Sequence, residues 1–235
     1  MSELIKILPW DSDFFGLRIG RVDILIADDW RSLQNMLLGP IPFDLLYVFD
    51  YFDKTKNVTL IGDARFVDTK VVYGKTLLPS PREHSPNVHF YDESLPDRDL
   101  YSLALISGQF SRYKLDSRFP KGSYERLYRK WIENSVNGTL ADVVLYYSDA
   151  ISKKGMVTVC QNEEHASIGL IAVDPVSQGQ GIGTELVMAA EQWLMLRGVK
   201  LLEVATQKNN IFGCHFYEKI GFRRISETNI YHIWL

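Results

Sequence analysis

The stretch Asp174-Pro-Val-Ser-Gln-Gly-Gln-Gly-Ile-Gly-Thr184 decides how the rest of this chain is read. Gly179, Gly181 and Gly183 stand at alternate positions, so the backbone can turn tightly with several N–H groups facing inward. The helix start that follows adds its own unpaired donors, and such a concavity suits phosphate or pyrophosphate. Thr184-Glu185 follows where a nucleotide triphosphatase would carry Gly-Lys-Ser/Thr, which argues against that class. Glu203 lies at a distance that would suit a ribose-binding carboxylate, but the strand before the loop arises from a hairpin and not from repeated βα units.

Outward from the loop, Ser167 to Val173 is expected as a strand and Gly183 to Arg197 as a helix. Leu186, Ala190, Trp193 and Leu194 line one helical stripe, and Gly198 supplies the stop. Leu201 to Ala205 reads as a strand. Asn210 to Ile220 reads as a second helix with Phe212, Phe216 and Ile220 on its buried side and Tyr217 off it. Tyr231 to Leu235 is a last apolar strand, serving either a homodimer contact or the completion of the sheet. Upstream, Ser123 is expected to cap a helix that places Tyr124, Leu127, Tyr128 and Trp131 on one face. Asp142 to Tyr147 and Gly155 to Cys160 are strands, and Gln161-Asn-Glu-Glu-His links a hairpin.

The first 110 residues read as a smaller α+β unit. Ile19 to Ile26, Leu45 to Phe49, Val58 to Ile61 and Phe66 to Val72 are expected strands, and Trp30 to Leu38 a short helix ended by Gly39-Pro40. Residues 74 to 98 are proline-rich and aperiodic, as a boundary or a substrate-facing loop would be, and Asp99 to Ile106 fits strand or helix equally. The whole is an α/β protein (α+β by some schemes): a mixed central sheet flanked by helices, divided at residues 1–110 and 111–235.

Composition narrows the partners. The 235 residues are 46% apolar and 23% charged, with 26 Lys and Arg against 29 Asp and Glu, a formal charge of −3. That balance gives no general case for nucleic acid, although Lys75, Arg82, Arg112, Lys114, Arg118 and Lys121 crowd the middle of the chain and would suit an anionic substrate. Two cysteines, Cys160 and Cys214, exclude a disulfide scaffold and lack zinc-site spacing, so no metal is expected. With no apolar run of membrane-spanning length and no signal-like start, the protein is expected in the cytoplasm.

Gln178-Gly179-Gln180-Gly181-Ile182-Gly183 resembles the Gln/Arg-x-x-Gly-x-Gly/Ala pyrophosphate motif of the GCN5-related N-acetyltransferases (GNAT). Ile168 to Val173 stands where that family has its central strand. Asn210 and Phe216-Tyr217-Glu218-Lys219-Ile220-Gly221-Phe222 match its later segment. Over the full length, Pro9-Trp-Asp-Ser-Asp-Phe-Phe-Gly, Ala172-Val-Asp-Pro, Val204-Ala-Thr-Gln and Tyr231-His-Ile-Trp-Leu resemble the bacterial TDP-fucosamine acetyltransferases, more loosely over residues 17 to 110. In those enzymes an N-terminal domain helps to form the sugar-nucleotide site.

The resemblance implies acetyl-CoA as acyl donor, a nucleotide-linked amino sugar as small-molecule acceptor, and Tyr217 as general acid for the departing thiolate. It also implies cofactor contacts from Ile171, Ala172 and Val173, from Gln178 through Thr184, and from Asn210. The residues themselves leave Asn210 open as a helix cap, and Tyr217 as a packing aromatic. A bulge near Ile171 to Val173 is expected to free a backbone N–H for the oxyanion. Glu163, Glu164 and His165 are weak candidates for a base, and adjacent Cys214 and His215 would diverge on a helix. The competing readings are acetylation of a peptide, lysine or polyamine amine, and an acyl-CoA-binding module without catalysis.

Overall fold

The computed structural model describes residues 4–52, 63–78, 85–149 and 151–235. The expected strand at Val58 to Ile61, and Arg82, lie outside the described residues. In chain order the elements are β1 (Ile5–Ile7), α1 (Pro9–Phe15), β2 (Ile19–Ile24), α2 (Ala27–Leu37), β3 (Leu45–Asp50), β4 (Arg65–Thr76) and β5 (Val88–Phe90). Then come α3 (Arg98–Ser107), α4 (Arg112–Leu115), α5 (Ser123–Val136), β6 (Val143–Ser148), β7 (Lys153–Asn162) and β8 (His165–Val173). The last are α6 (Ile182–Met195), β9 (Leu201–Gln207), α7 (Ile211–Lys219) and β10 (Arg223–Trp234).

The sequence patterns account for most of these elements, with shifts of a few residues at their ends. Residues 98 to 107 resolve as helix because Asp97 caps them, its carboxylate accepting from the Leu100 N–H at 2.9 Å. Ser123 opens α5 without capping it, since left-handed Gly122 takes that position. The expected irregular stretch from 74 is shorter than its prolines suggest: β4 continues to Thr76 and β5 forms at Val88.

The ten strands of the described residues form one sheet in the order β1-β2-β3-β10-β4-β9-β8-β7-β6-β5. β2–β3 and β8–β9 are parallel and the other pairs antiparallel, so the sheet is mixed, as expected. Strands contributed by residues 1–110 and 111–235 share it. β4 lies between β9 and β10, with Lys70 opposite Gln207 on one side and Thr228 on the other. Tyr231 to Trp234 pairs within the sheet against β3, which is the sheet-completing role weighed for the chain end.

Helices cover both faces. On one face α6 and α7 close a core of Val71, Tyr73, Leu186, Leu202 and Val204. On the other, α3 and α5 cover Leu45, Tyr47, Met156, Leu170 and Ala172. The outer strands β1–β3 rest on α2 through Trp30 and Leu33.

Because β4 is an interior strand, its removal would expose hydrogen-bonding edges on both β9 and β10. A fragment beginning at residue 111 is therefore expected to show no cooperative thermal transition by near-ultraviolet circular dichroism. A sharp transition in a soluble fragment would show that residues 1–110 are dispensable to the sheet.

Candidate active site

The site begins with a change of register in β8. Val157 pairs with Ile171, but Val159 pairs with Ile168, so two residues of β8, Gly169 and Leu170, stand opposite Thr158. This bulge inverts the alternation of side chains: Ala166 and Ile168 pack under α6, whereas Leu170 and Ala172 pack under α3 and α5. It lies just before the expected Ile171 to Val173, and what fixes it is a side chain the sequence did not advertise. Buried Thr158 accepts the Leu170 N–H through its Oγ1 at 2.8 Å. Gly169 permits that approach, since a Cβ there would lie 2.9 Å from the same oxygen.

β8 and β9 pair in parallel only from His165–Leu201 to Ile168–Val204. Beyond that point they part, and the β9-facing edge of Gly169 to Val173 has no strand partner among the described residues. A cleft of about 350 Å³ occupies the gap. Ile171, Ala205, Asn210 and Tyr217 reach it from the C-terminal half, and Arg21, Asp68 and Lys70 from β2 and β4.

The glycine loop sits where β8 hands over to α6. Gly179 and Gly181 have φ of 78° and 87°, the latter as the cap of α6, a conformation in which L side chains are strained. Among the described residues, no backbone hydrogen bond is donated by the N–H groups of Gly179 through Gly183. The Gln178 amide donates back to the Val173 carbonyl at 3.1 Å, which ties the loop to the end of β8. Thr184 lies in the first turn of α6, its N–H bonded to the Gly181 carbonyl.

Tyr217 corrects the expected helix face. It is 5% exposed and Phe212 is 87% exposed, because α7 turns Cys214 and Tyr217, three residues apart, onto the sheet. The Tyr217 ring packs 5.7 Å from Tyr73 and 5.8 Å from Phe222. Burial raises its pKa above the ordinary phenol value, with Cys214 adding to the effect, so the hydroxyl is protonated at neutral pH. Asn210 caps α7: its Oδ1 accepts from the Gly213 N–H at 3.1 Å, and its amide donates to Thr206 Oγ1 at 3.1 Å. The sequence had left that role open.

Other sequence candidates fall away from the cleft. Glu163, Glu164 and His165 lie at the β7–β8 turn, at the opposite end of β8 from Val173, where Glu164 pairs with Lys200 at 2.5 Å. Cys214 is buried and His215 exposed, so the two do not form a nucleophilic pair. Arg118 is engaged by Asp116. No group of residues able to hold a metal is found among the described residues. No described helix is long and apolar enough to cross a membrane.

Sequence reasoning missed the cations at the far end of the cleft, except for Arg112. Arg21 and Arg112 both lie over the Phe49 ring, at 4.1 and 5.4 Å, and Arg112 also lies 4.7 Å from the rings of Tyr47 and Tyr113. Crowding in the cleft and the charges of Arg21 and Arg112 lower the Lys70 pKa. Arg21 and Lys70 are separated from the glycine loop by more than 100 residues, so no local motif could have joined them.

Residues 109–222 match the sequence model of the Acetyltransferase (GNAT) family. That span, just under half of the chain, holds β7, β8, the glycine loop, α6 and α7, and this part of the chain is similar in sequence to that family. Among relatives, the spore coat polysaccharide biosynthesis protein SpsD of Bacillus subtilis is 21% identical over 243 residues, covering 96% of this chain and 81% of that protein. A dTDP-fucosamine acetyltransferase of Escherichia coli is 35% identical over 124 residues, about half of each chain (52%). The fold is shared with a GCN5-related N-acetyltransferase of Sphaerobacter thermophilus, at a TM-score of 0.60 and 15% identity, covering 98% of this chain and 76% of that one.

Thr158→Val keeps the shape at the bulge but leaves the buried Leu170 N–H without an acceptor. Such a group costs about 1–3 kcal/mol, and chemical denaturation is expected to show a loss of that size. An unchanged midpoint would show that the Thr158 hydroxyl does not hold the bulge.

Proposed function

We propose that the protein transfers an acetyl group from acetyl-CoA to the amine of a nucleotide-linked amino sugar, of the TDP-4-amino-4,6-dideoxyhexose type. The observation that carries this reading is the build of the cleft. One end opens at the parted strands beside Tyr217, and the other is lined by residues 21, 68, 70 and 112, whose charges are three cations to one carboxylate. A polyamine or lysine acceptor would call for the opposite balance. Two relatives, a spore coat polysaccharide biosynthesis protein and a dTDP-fucosamine acetyltransferase, point the same way.

In this reading the undonated N–H groups of Gly179 to Gly183 hold the cofactor pyrophosphate, with Gln178, Gln180, Ile182 and Thr184 shaping the loop. The pantetheine arm lies along the free edge of Ile171, Ala172 and Val173, its amides pairing as an added strand would. Asn210 borders the arm while capping α7. The thioester then meets the acceptor amine inside the gap. Attack by the amine nitrogen forms the new C–N bond, a backbone N–H of the β8 edge stabilises the oxyanion, and the C–S bond breaks. The thiolate takes its proton from the Tyr217 hydroxyl, and the proton lost by the amine nitrogen passes through water to restore the phenol. The high phenol pKa favours transfer concerted with C–S cleavage over prior ionisation. The acceptor-side contacts come from β2 and β4, with Arg112 added by α4.

The test supplies acetyl-CoA with TDP-linked amino sugars, spermidine and a lysine peptide, and follows free thiol. Turnover confined to the sugars is expected, and turnover confined to the other amines would overturn the acceptor. Tyr217→Phe keeps the ring and removes the proton donor. Its single-turnover rate is expected to fall about 10²- to 10⁴-fold, the usual range for general acid catalysis, with acetyl-CoA affinity unchanged. An unchanged chemical step would remove Tyr217 from the mechanism.

A further inference from the structure

We propose that Arg21, Lys70 and Arg112 form a cradle for a diphosphate, the group by which the enzyme tells a nucleotide-linked acceptor from a free amine. The assignment deepens the acceptor reading above and rests on it. Three elements distant in sequence, β2, β4 and α4, each send one cation to the same end of the cleft. Neither Lys70 nor Arg112 has a carboxylate within ion-pair distance among the described residues, and Glu203 and Asp11 act on them only from farther away. Arg21 is paired, with Asp23 at 2.8 Å. Asp68 is the one carboxylate among the described residues that line the cleft.

Arg112 is held in an unusual way. Its guanidinium is walled by the rings of Tyr47, Phe49 and Tyr113, and it donates to the Tyr113 hydroxyl at 2.8 Å. Its Nε is buried with no hydrogen-bond partner among the described residues. A stacked guanidinium is fixed in orientation, and its planar fork matches phosphate oxygens. Phe49 serves two guanidiniums at once, which brings Arg21 and Arg112 together although their charges repel. Repelling cations gathered in one cleft favour an anion of two or more charges, because each added pairing relieves a repulsion as well as forming an attraction.

Coenzyme A also carries phosphates, but the glycine loop stands at the head of α6, which covers the opposite face of the sheet from α4 and α5. The cradle is therefore assigned to the acceptor.

The experiment titrates inorganic pyrophosphate, and separately uridine diphosphate, into the full-length protein already saturated with coenzyme A, by calorimetry. Lys70→Gln removes one charge from the cleft wall, and Arg112→Lys keeps the charge but loses the fork. Each is expected to weaken pyrophosphate and uridine diphosphate binding about tenfold, as loss of one charge-assisted contact implies, with acetyl-CoA affinity within about twofold of wild type. No pyrophosphate binding by the wild type, or unaltered binding by both variants, would overturn the cradle. An equal loss of acetyl-CoA affinity would also overturn it, by assigning the cations to the cofactor. Acetylation is not part of the readout, so a cradle that binds pyrophosphate in a protein that acetylates no sugar nucleotide would sink the acceptor reading alone.

Discussion

A single buried hydrogen bond, from the Leu170 N–H to Thr158 Oγ1, lets β8 carry one more residue than β7 without leaving a donor unpaired. The opening between β8 and β9 follows from that extra residue. It flips the side chains of β8 from one core to the other, so Ile168 belongs to the α6 side and Leu170 to the α5 side. It also marks where β8 leaves β9. A free strand edge in the middle of a ten-stranded sheet is costly unless something pairs with it or water reaches it. The cleft gives water that access, and in the proposed reaction the amides of the thioester arm take its place.

The two sides of this opening have different origins. Toward α6 and α7, the glycine loop, Asn210 and Tyr217 come from a continuous stretch of about forty residues, as local motifs do. Toward α4 and α5, the lining combines side chains of β2 and β4 with Arg112 of α4 and Tyr128 and Trp131 of α5. β4 sits between β9 and β10, so Asp68 and Lys70 are placed by the same ladder that places Ala205 and Gln207.

These origins explain what the sequence revealed. The loop, α6 and α7 were legible because turn chemistry and helical periodicity act over ten to twenty residues. Asn210 was legible as a cap for the same reason. The face of α7 was misjudged because three apolar residues, Phe212, Phe216 and Ile220, outweighed the tyrosine in a count of hydrophobicity. Tertiary packing instead selected Cys214 and Tyr217, and left Phe212 at the surface. The bulge was anticipated from family resemblance, but Thr158, twelve residues from Leu170 and on another strand, gives no local sign of its role. The cation cluster was out of reach for a similar reason: Arg21, Lys70 and Arg112 meet only through the strand order and the Phe49 ring.

The central claim is that the gap between β8 and β9 receives the acyl donor from the glycine-loop side. Backbone amide chemical shifts of the full-length protein, recorded with and without acetyl-CoA, test it most directly. The account predicts that the largest changes fall at Gly169 to Val173 and Gly179 to Gly183, with Tyr217 and Asn210 also affected. Changes centred on β2 and α4, with the β8 edge and the loop unmoved, would contradict it.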